Sequence, residues 1–438
     1  MIQEIDITKY FTIVKTLGKG SYGIIEKVIA KNIIKNIAKN IEPNTEYAMK
    51  IVKSDTFKDT ISIMKEFNIL RQLDNENVIK TYALFKGKDI NNPALYYFIM
   101  ELLDIDLFDY AFDDKELNLG NIKDIMINIL RGLSYLHQPQ PLYQFLESTI
   151  KINSYIVHLD LKLENIMLKL KGNEITQIKI IDVGLAEIVR AEKKGLEGGD
   201  TRGSPEYVAP EIICMIFEHN CPSYGRPSDI WSCGIIFFGL LFKGWPFEGI
   251  KGKEANESLR HIYEQMKEYK KNPEIYSFGG YFDSVDIKND YGFIVWYILR
   301  QMLEYDPVKR ITVEDILEMF HQIKEKLSYI GSITHSETFY ESHMLQKKLQ
   351  RKLQRRYEDN EFMHFGMDFG ERNTNKLFWE PGDGSHKCRI LCKLGHNIYF
   401  FCSHILNKKE LFAHLVQNAD SLQQGQTLLC NECAAKNL

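Results

Sequence analysis

Between Tyr10 and Ala30 the chain runs as short apolar segments interrupted by Gly18, Gly20 and Gly23, a pattern that predicts a β-hairpin. Residues 31–45 turn Lys/Asn/Ile-rich and end in Pro43-Asn44, which reads as an irregular surface excursion before a strand, Glu46-Tyr-Ala-Met-Lys-Ile-Val52. Ile61, Met64, Ile69 and Leu73 surround Glu66 at spacings that fit an amphipathic helix over 60–73. Tyr96-Tyr-Phe-Ile-Met100 predicts another strand. Beyond it the pattern is mostly helical to about residue 325, with strand-like interruptions near 156–182. The longest apolar run, Ile235–Phe242, is far shorter than the roughly 20 residues a membrane-spanning helix needs, so it predicts a buried helix. Over 341–358, Leu345, Leu349 and Leu353 form one apolar stripe.

Charge changes the reading of that last helix. Lys347, Lys348, Arg351, Lys352, Arg355 and Arg356 have no acidic residue among them, so the segment is either a linker helix packed on its own protein or a docking element. As a docking element, residues 343–356 would contact nucleic acid or an anionic membrane. The whole chain of 438 residues carries a net charge of only −4, with 26% charged and 44% hydrophobic residues, which fits a globular protein with room for two domains and excludes disordered or collagen-like classes. The start, Met1-Ile-Gln-Glu-Ile-Asp, lacks the basic stretch and cleavage site of a secretory signal; the expectation is a cytoplasmic protein, with nuclear access left open. In that compartment disulfides are not expected.

Cysteine placement adds a second module. Cys214, Cys221 and Cys233 lie in the body, whereas Cys388, Cys392, Cys402, Cys430 and Cys433 cluster at the end. Cys388-x3-Cys392-x3-His396, Cys402-x-His404 and Cys430-x2-Cys433 supply thiolates and imidazoles that suit tetrahedral zinc, and His386 and His414 widen the candidate set. Buried free thiols or a redox role are the alternatives. Structural Zn2+ would help a short segment with little core to fold, and such a module could recruit a docking partner.

The candidate chemistry lies earlier. Gly18-Lys-Gly-Ser21-Tyr-Gly23 lets the backbone approach phosphates, although alone it is also an ordinary tight turn. Lys50, after Ala48-Met49, and Glu66 would form a pair that holds an ammonium beside nucleotide phosphates if packing brings them together. In His158-Leu-Asp-Leu-Lys-Leu-Glu-Asn165, Asp160 can accept the proton of an attacking hydroxyl and Lys162 can neutralise a transferring phosphoryl group. Asn165 and Asp182, the latter in Asp182-Val-Gly184, offer hard oxygen ligands for Mg2+.

In this order, with Ala209-Pro-Glu211 following, the motifs resemble the eukaryotic protein kinase family over roughly residues 11–325. The resemblance implies an α+β, bilobal fold with a small β-rich lobe and a larger helical lobe, with ATP and Mg2+ as cofactors. It implies that Asp229, in Asp229-Ile-Trp-Ser-Cys-Gly234, steadies the catalytic-loop backbone. Arg310, in Asp306-Pro-Val-Lys-Arg310, would pair with Glu211. Met100 resembles the gatekeeper, the backbone at Glu101 and Leu103 would hold adenine, and Asp106 resembles the ribose-facing acid. Lys162 with Gly203-Ser-Pro-Glu-Tyr-Val-Ala-Pro-Glu211 resembles the serine/threonine branch, with Ser204 bracing Asp160 and Lys162. The implied reaction is transfer of the ATP γ-phosphoryl group to Ser or Thr of a protein substrate.

Some positions depart from the family pattern. Leu159 replaces the arginine that would pair with an activation-loop phosphate, and Asp200 stands at the usual phosphate-bearing position with Thr201 beside it, so activity independent of loop phosphorylation is expected. Val183 replaces the usual phenylalanine. Residues 31–45 and the long approach from His137 to Tyr155 read as surface insertions. The alternative is an ATP-binding pseudokinase scaffold whose C-terminal module recruits partners. The expected division is a kinase domain over 11–325, a linker with the basic helix over 326–380 and a Cys/His module over 381–438; nothing in the sequence bears on oligomeric state.

Overall fold

The computed structural model describes residues 2–20, 23–88, 94–113, 117–145, 148–193, 195–196, 203–218, 221–250, 252–271, 298–322, 377–380, 389–394, 397–402 and 427–428. The chain divides into two units: Met1–Asp113, Asn128–Val208 and Pro222–Ser232 form the first, and Asp114–Ile127, Ala209–Cys221 and Cys233–Leu438 the second.

The first unit is organised on a six-stranded sheet. Its strands are β1 (Gln3–Ile5), β2 (Phe11–Gly20), β3 (Gly23–Ala30), β4 (Glu46–Ser54), β5 (Thr81–Gly87) and β6 (Ala94–Met100), in spatial order β1-β5-β6-β4-β3-β2. The glycine-broken hairpin is β2–β3, with Gly18 opposite Ile25 and Gly20 opposite Gly23. A short helix, α1 (Ile7–Tyr10), precedes β2, and α2 (Phe57–Leu70) follows β4. Helix α2 begins before residue 60 because Thr56 and Asp59 form a capping box: the Asp59 amide donates to Thr56 Oγ1 and the Thr56 amide to Asp59 Oδ2.

Alternation in β4 gives its two faces different tasks. Tyr47 and Met49 join Phe11, Val28, Phe85, Tyr97 and Ile99 in one core, which also takes in Ile34, Ala38 and Ile41 from the segment after β3. That segment is therefore not a surface excursion. A 3-10 turn over Asn32–Asn36 turns Ile34 inward, Ile34 and Ile41 lose all exposure, and the Glu42 amide donates to the Tyr47 hydroxyl at 2.8 Å. Lys50 lies on the alternate set of β4 positions, near Phe98, whose ring meets Phe67 of α2 edge-on.

Two small sheets follow. In one, β7 (Ile105–Asp106), which runs into α3 (Leu107–Phe112), flanks the β10–β11 hairpin (Ile166–Lys171, Glu174–Ile180) in the order β11-β10-β7. In the other, β8 (Gln140–Tyr143), β9 (Lys151–Val157) and β12 (Glu187–Arg190) are ordered β12-β9-β8. Helix α4 (Leu119–His137) leads to β8. Strand β8 lies inside the extension that reads as a plain surface insertion; Leu142 in it is buried. Strand content thus begins well before residue 156.

The second unit contains α5 (Pro210–Phe217), the C-terminal part of α6 (Arg226–Phe242), α7 (Ala255–Lys271) and α8 (Val313–Gln322). The apolar run from Ile235 onward is buried within α6 through Leu241. No helix among the described residues is long and apolar enough to cross a membrane. The expectation that disulfides are absent fails at Cys214 and Cys221, which form one: their Cα atoms lie 5.8 Å apart, within bridging range. Cys233 is free and buried.

Near the C-terminus, β13 (Leu377–Glu380), β14 (Arg389–Leu394), β15 (Asn397–Cys402) and β16 (Thr427–Leu428) form a sheet in that order. Leu377–Glu380, which includes Trp379 of the expected linker, is thus a strand paired with β14. Cys392 and Cys402 lie on neighbouring strands, opposite Tyr399 and Arg389 respectively. Cys388, His396, His404, Cys430, Cys433, His386, His414 and the basic segment 343–356 lie outside the described residues, and among the described residues no cluster of three metal-ligating side chains occurs.

Because Ile41 has no exposure and Ile33 is about half exposed, Ile41→Ala is expected to destabilise the protein by about 2–4 kcal/mol while Ile33→Ala changes it little. Chemical denaturation checks this, and equal effects would contradict the core assignment of this segment.

Candidate active site

Strand β4 and helix α2 bring the first charged pair together. Lys50 Nζ lies 2.7 Å from Glu66 Oε1 and 3.8 Å from Asp182 Oδ1, and both Lys50 and Glu66 are buried. Burial pushes the Glu66 carboxyl above its ordinary range; Lys50 opposes that rise and Asp182 adds to it.

Strand β9 ends at Val157 and delivers His158-Leu-Asp160, whose backbone is fixed by a carboxylate with no exposure. Asp229 Oδ2 accepts the His158 amide and Oδ1 the Leu159 amide, each at 2.8 Å. Leu159 has φ 66°, in the left-handed region that costs a non-glycine residue about 1–2 kcal/mol. The clamp holds it there. The His158 ring accepts the Asp160 amide at Nδ1 and lies 3.1 Å from the Ile181 carbonyl at Nε2, so it donates from Nε2.

Asp160 is buried and surrounded by donors. Lys162 Nζ (3.0 Å) and Asn165 Nδ2 (3.1 Å) reach Oδ2, while the Ser204 amide (3.1 Å) and hydroxyl (3.3 Å) reach Oδ1. Lys162 also donates to Ser204 Oγ at 2.9 Å. Gly203 must be glycine here: its φ is +91° and a Cβ would stand 2.7 Å from the Leu159 carbonyl oxygen. The Asn165 amide nitrogen is turned to Asp160, which leaves its oxygen as the ligand-type atom. Asp182, at φ 57°, receives the Gly184 amide at 3.1 Å. Val183 is fully buried, so the smaller residue is accommodated by packing.

The expected nucleotide-contacting residues divide by their existing bonds. Ala48 and Met100 are register partners on β4 and β6. The Glu101 amide donates to the Lys80 carbonyl and its carboxylate takes the Lys80 amide (2.6 Å) and Lys179 Nζ (3.0 Å), so its backbone carbonyl is the group left for a ligand. No backbone hydrogen bond engages the Leu103 amide among the described residues. Asp106 caps α3 by accepting the Asp109 amide at 2.8 Å, and burial pushes its carboxyl up. Gly23, at φ +129°, faces the Ile51 carbonyl oxygen so closely that a Cβ would collide with it. Ser21, Asp200 and Thr201 lie outside the described residues. In the second unit, Arg310 holds Glu211 through two parallel bonds, 2.7 and 3.0 Å, with both side chains fully buried.

Residues 11–321 match the model of the protein kinase domain. The chain belongs to the protein kinase family. Similar proteins include Calcium-dependent protein kinase 4 of Plasmodium berghei (strain Anka), 28% identical over 70% of this chain and 48% of the relative. SNF1-related protein kinase catalytic subunit alpha KIN12 of Arabidopsis thaliana is 27% identical over 71% of this chain and 51% of its own length. Death-associated protein kinase 2 of Homo sapiens is 28% identical over 71% of each. The chain matches about half the length of the first two.

The kinase site has contacts that sequence reasoning missed. His137 Nε2 lies 2.8 Å from Asp229 Oδ2, on the oxygen that takes the His158 amide. Its position at the end of an apolar helix was the available signal. Lys65 of α2 pairs with Glu187 of β12 at 2.8 Å. Asn68 and Gln72 both hold the backbone of Tyr143.

Asp229→Asn would turn an amide nitrogen toward donors that now meet a carboxylate, a loss of about 1–3 kcal/mol for a buried donor left unpaired. The expected result is a lower melting temperature, with the largest rise in amide exchange at His158 and Leu159. Unchanged exchange there would show that the clamp does not hold this loop.

Proposed function

We propose that this protein is a serine/threonine kinase that transfers the γ-phosphoryl group of ATP to protein hydroxyls. The observation that carries the reading is Asp160 held in place by Lys162, Asn165 and Ser204 in the same unit as the Lys50–Glu66–Asp182 cluster. Asp160 orients the acceptor hydroxyl and takes its proton, Lys162 lies beside it to offset developing negative charge, and Lys50, fixed by Glu66, binds nucleotide phosphate. The free oxygen of Asn165 and the Asp182 carboxylate form a hard-oxygen pair that fits Mg2+; the ion, when bound, supplies neutralisation of phosphate charge. Glycines 18, 20 and 23 with Ser21 cover the phosphates, the backbone at Glu101 and Leu103 holds adenine next to Ala48 and Met100, and Asp106 meets the ribose.

We further propose that activity does not require a loop phosphate, because the residue preceding Asp160 is a buried leucine that cannot pair with one. The Cys/His set at the C-terminus is proposed to hold structural Zn2+ and to recruit a partner; the spacing of Cys388-x3-Cys392-x3-His396 and of Cys430-x2-Cys433 supports it. Metal content of the full chain before and after Cys392→Ser tests the zinc assignment, with undiminished or absent zinc counting against it.

In a native extract, wild-type protein with ATP and Mg2+ is expected to raise Ser/Thr phosphosites that Asp182→Asn does not, and chelating the metal abolishes the activity. Asp160→Asn should lower the rate by about 10²–10⁴, the range of a general base, while nucleotide binding persists. Binding of ATP without any phosphorylation identifies the pseudokinase scaffold instead. Phosphatase-treated protein and Thr201→Ala are expected to retain activity; loss of activity with the fold intact contradicts phosphate independence.

A further inference from the structure

Strand β8 is an edge strand, and at its last residue, Tyr143, the outer edge meets Asn68 of the helix that carries Glu66 and Gln72 just beyond that helix. The Tyr143 amide donates to Gln72 Oε1 at 2.6 Å, and the Tyr143 carbonyl accepts Gln72 Nε2 at 3.2 Å and Asn68 Nδ2 at 2.9 Å. The Gln72 carboxamide thus meets both polar groups of one peptide position, as a neighbouring strand would. Gln72 Nε2 also donates to the Asn68 carbonyl at 2.7 Å, which ties the clasp to the last turn of α2. Arg71 and Lys151 sit over the Tyr143 ring at 5.3 and 5.0 Å. Asn68 is only 2% exposed, while Gln72 and Tyr143 are half-buried.

The location of this clasp gives it a mechanical consequence. Strand β8 pairs with β9, and β9 ends at Val157, immediately before His158 and the catalytic-loop residue Asp160. Helix α2 carries Glu66 two residues before Asn68, and Glu66 fixes Lys50. The clasp therefore joins the element that positions Lys50 to the strand that delivers Asp160 through neutral hydrogen bonds. It needs no phosphate and no arginine, and Leu159 leaves that arginine's place filled by a buried aliphatic side chain.

We propose that Gln72, assisted by Asn68, is a positioning residue that holds α2 so that Glu66 engages Lys50. The inserted strand β8 then serves as a built-in brace for the site. The inference rests on the kinase reading of this site for its catalytic consequence, but the helix position can be measured without catalysis.

The experiment uses the full chain with Gln72→Ala, Gln72→Met and Glu66→Gln, the methionine variant keeping most of the apolar stem in case alanine unfolds the protein. Amide exchange over residues 57–70 is expected to rise about tenfold in both Gln72 variants, the scale of one net hydrogen bond, while that of β4 stays as in wild type. The kcat for phosphorylation of a general Ser/Thr protein substrate should fall about tenfold with little change in KM for ATP, and this loss should vanish in the Glu66→Gln background, because the clasp acts through Glu66. Wild-type exchange over 57–70 in the Gln72 variants overturns the proposal, and so does an equal fall in kcat with Glu66 present or replaced. Should wild-type protein transfer no phosphoryl group at all, the kinase reading fails and the exchange result alone decides the clasp.

Discussion

A fully buried carboxylate, Asp229, accepts the amide protons of His158 and Leu159 and touches the ring of His137. Taking a charge out of water is costly unless donors replace the lost solvent, and here the donors are the backbone of the very loop that must be shaped. Leu159 could relax out of its left-handed conformation if those bonds were absent. The next residue, Asp160, would then lose its aim toward Lys162, Asn165 and Ser204. The bonds on Asp160 are thus secondary in a physical sense: each presupposes a loop already turned by Asp229.

The other half of the site faces a similar problem with a different solution. Lys50 and Glu66 are both nearly removed from solvent, where an isolated charge on either would be strongly penalised, so each makes the other tolerable only while α2 stays in place. That helix is restrained along its length: the Thr56–Asp59 box at its start, Lys65 on Glu187 near its middle, and Asn68 with Gln72 at its end. The Glu187 contact joins α2 to the strand that follows Asp182, so the positions of the two carboxylates beside Lys50, Glu66 and Asp182, are mutually dependent.

How much of this was legible in the sequence depended on range. Asp160, Lys162 and Asn165 lie within one short loop, and Asp182 ends a strand, so residue type and spacing sufficed to group them. The contacts of Gln72 with Tyr143 and of His137 with Asp229 join residues that the chain separates by 71 and 92 positions, and a glutamine or a histidine has no distinctive spacing to reveal such a partner. In 31–45 the abundance of Lys and Asn masked the spacing of Ile34, Ala38 and Ile41, which is helix-like and apolar. The Cys214–Cys221 bridge is not legible from compartment chemistry, because bridging depends on how close the fold brings the two Cα atoms. The family fold was readable from motif order, whereas the C-terminal sheet was not, since its short strands carry no strong alternation.

The core built on residues 31–45 also bears on the chemistry. Side chains of a strand alternate between faces, so a slip of one residue in β4 would move Lys50 from the α2 side to the opposite side and bring Ala48 and Lys50 where Tyr47 and Met49 now pack. With that opposite face left to solvent, the cost of the slip would be modest. Covering it with Ile34, Ala38 and Ile41 makes the misplacement bury an ammonium in an apolar core and expose a tyrosine and a methionine in its place. The 31–45 segment therefore fixes the register of Lys50 from the opposite side of the sheet.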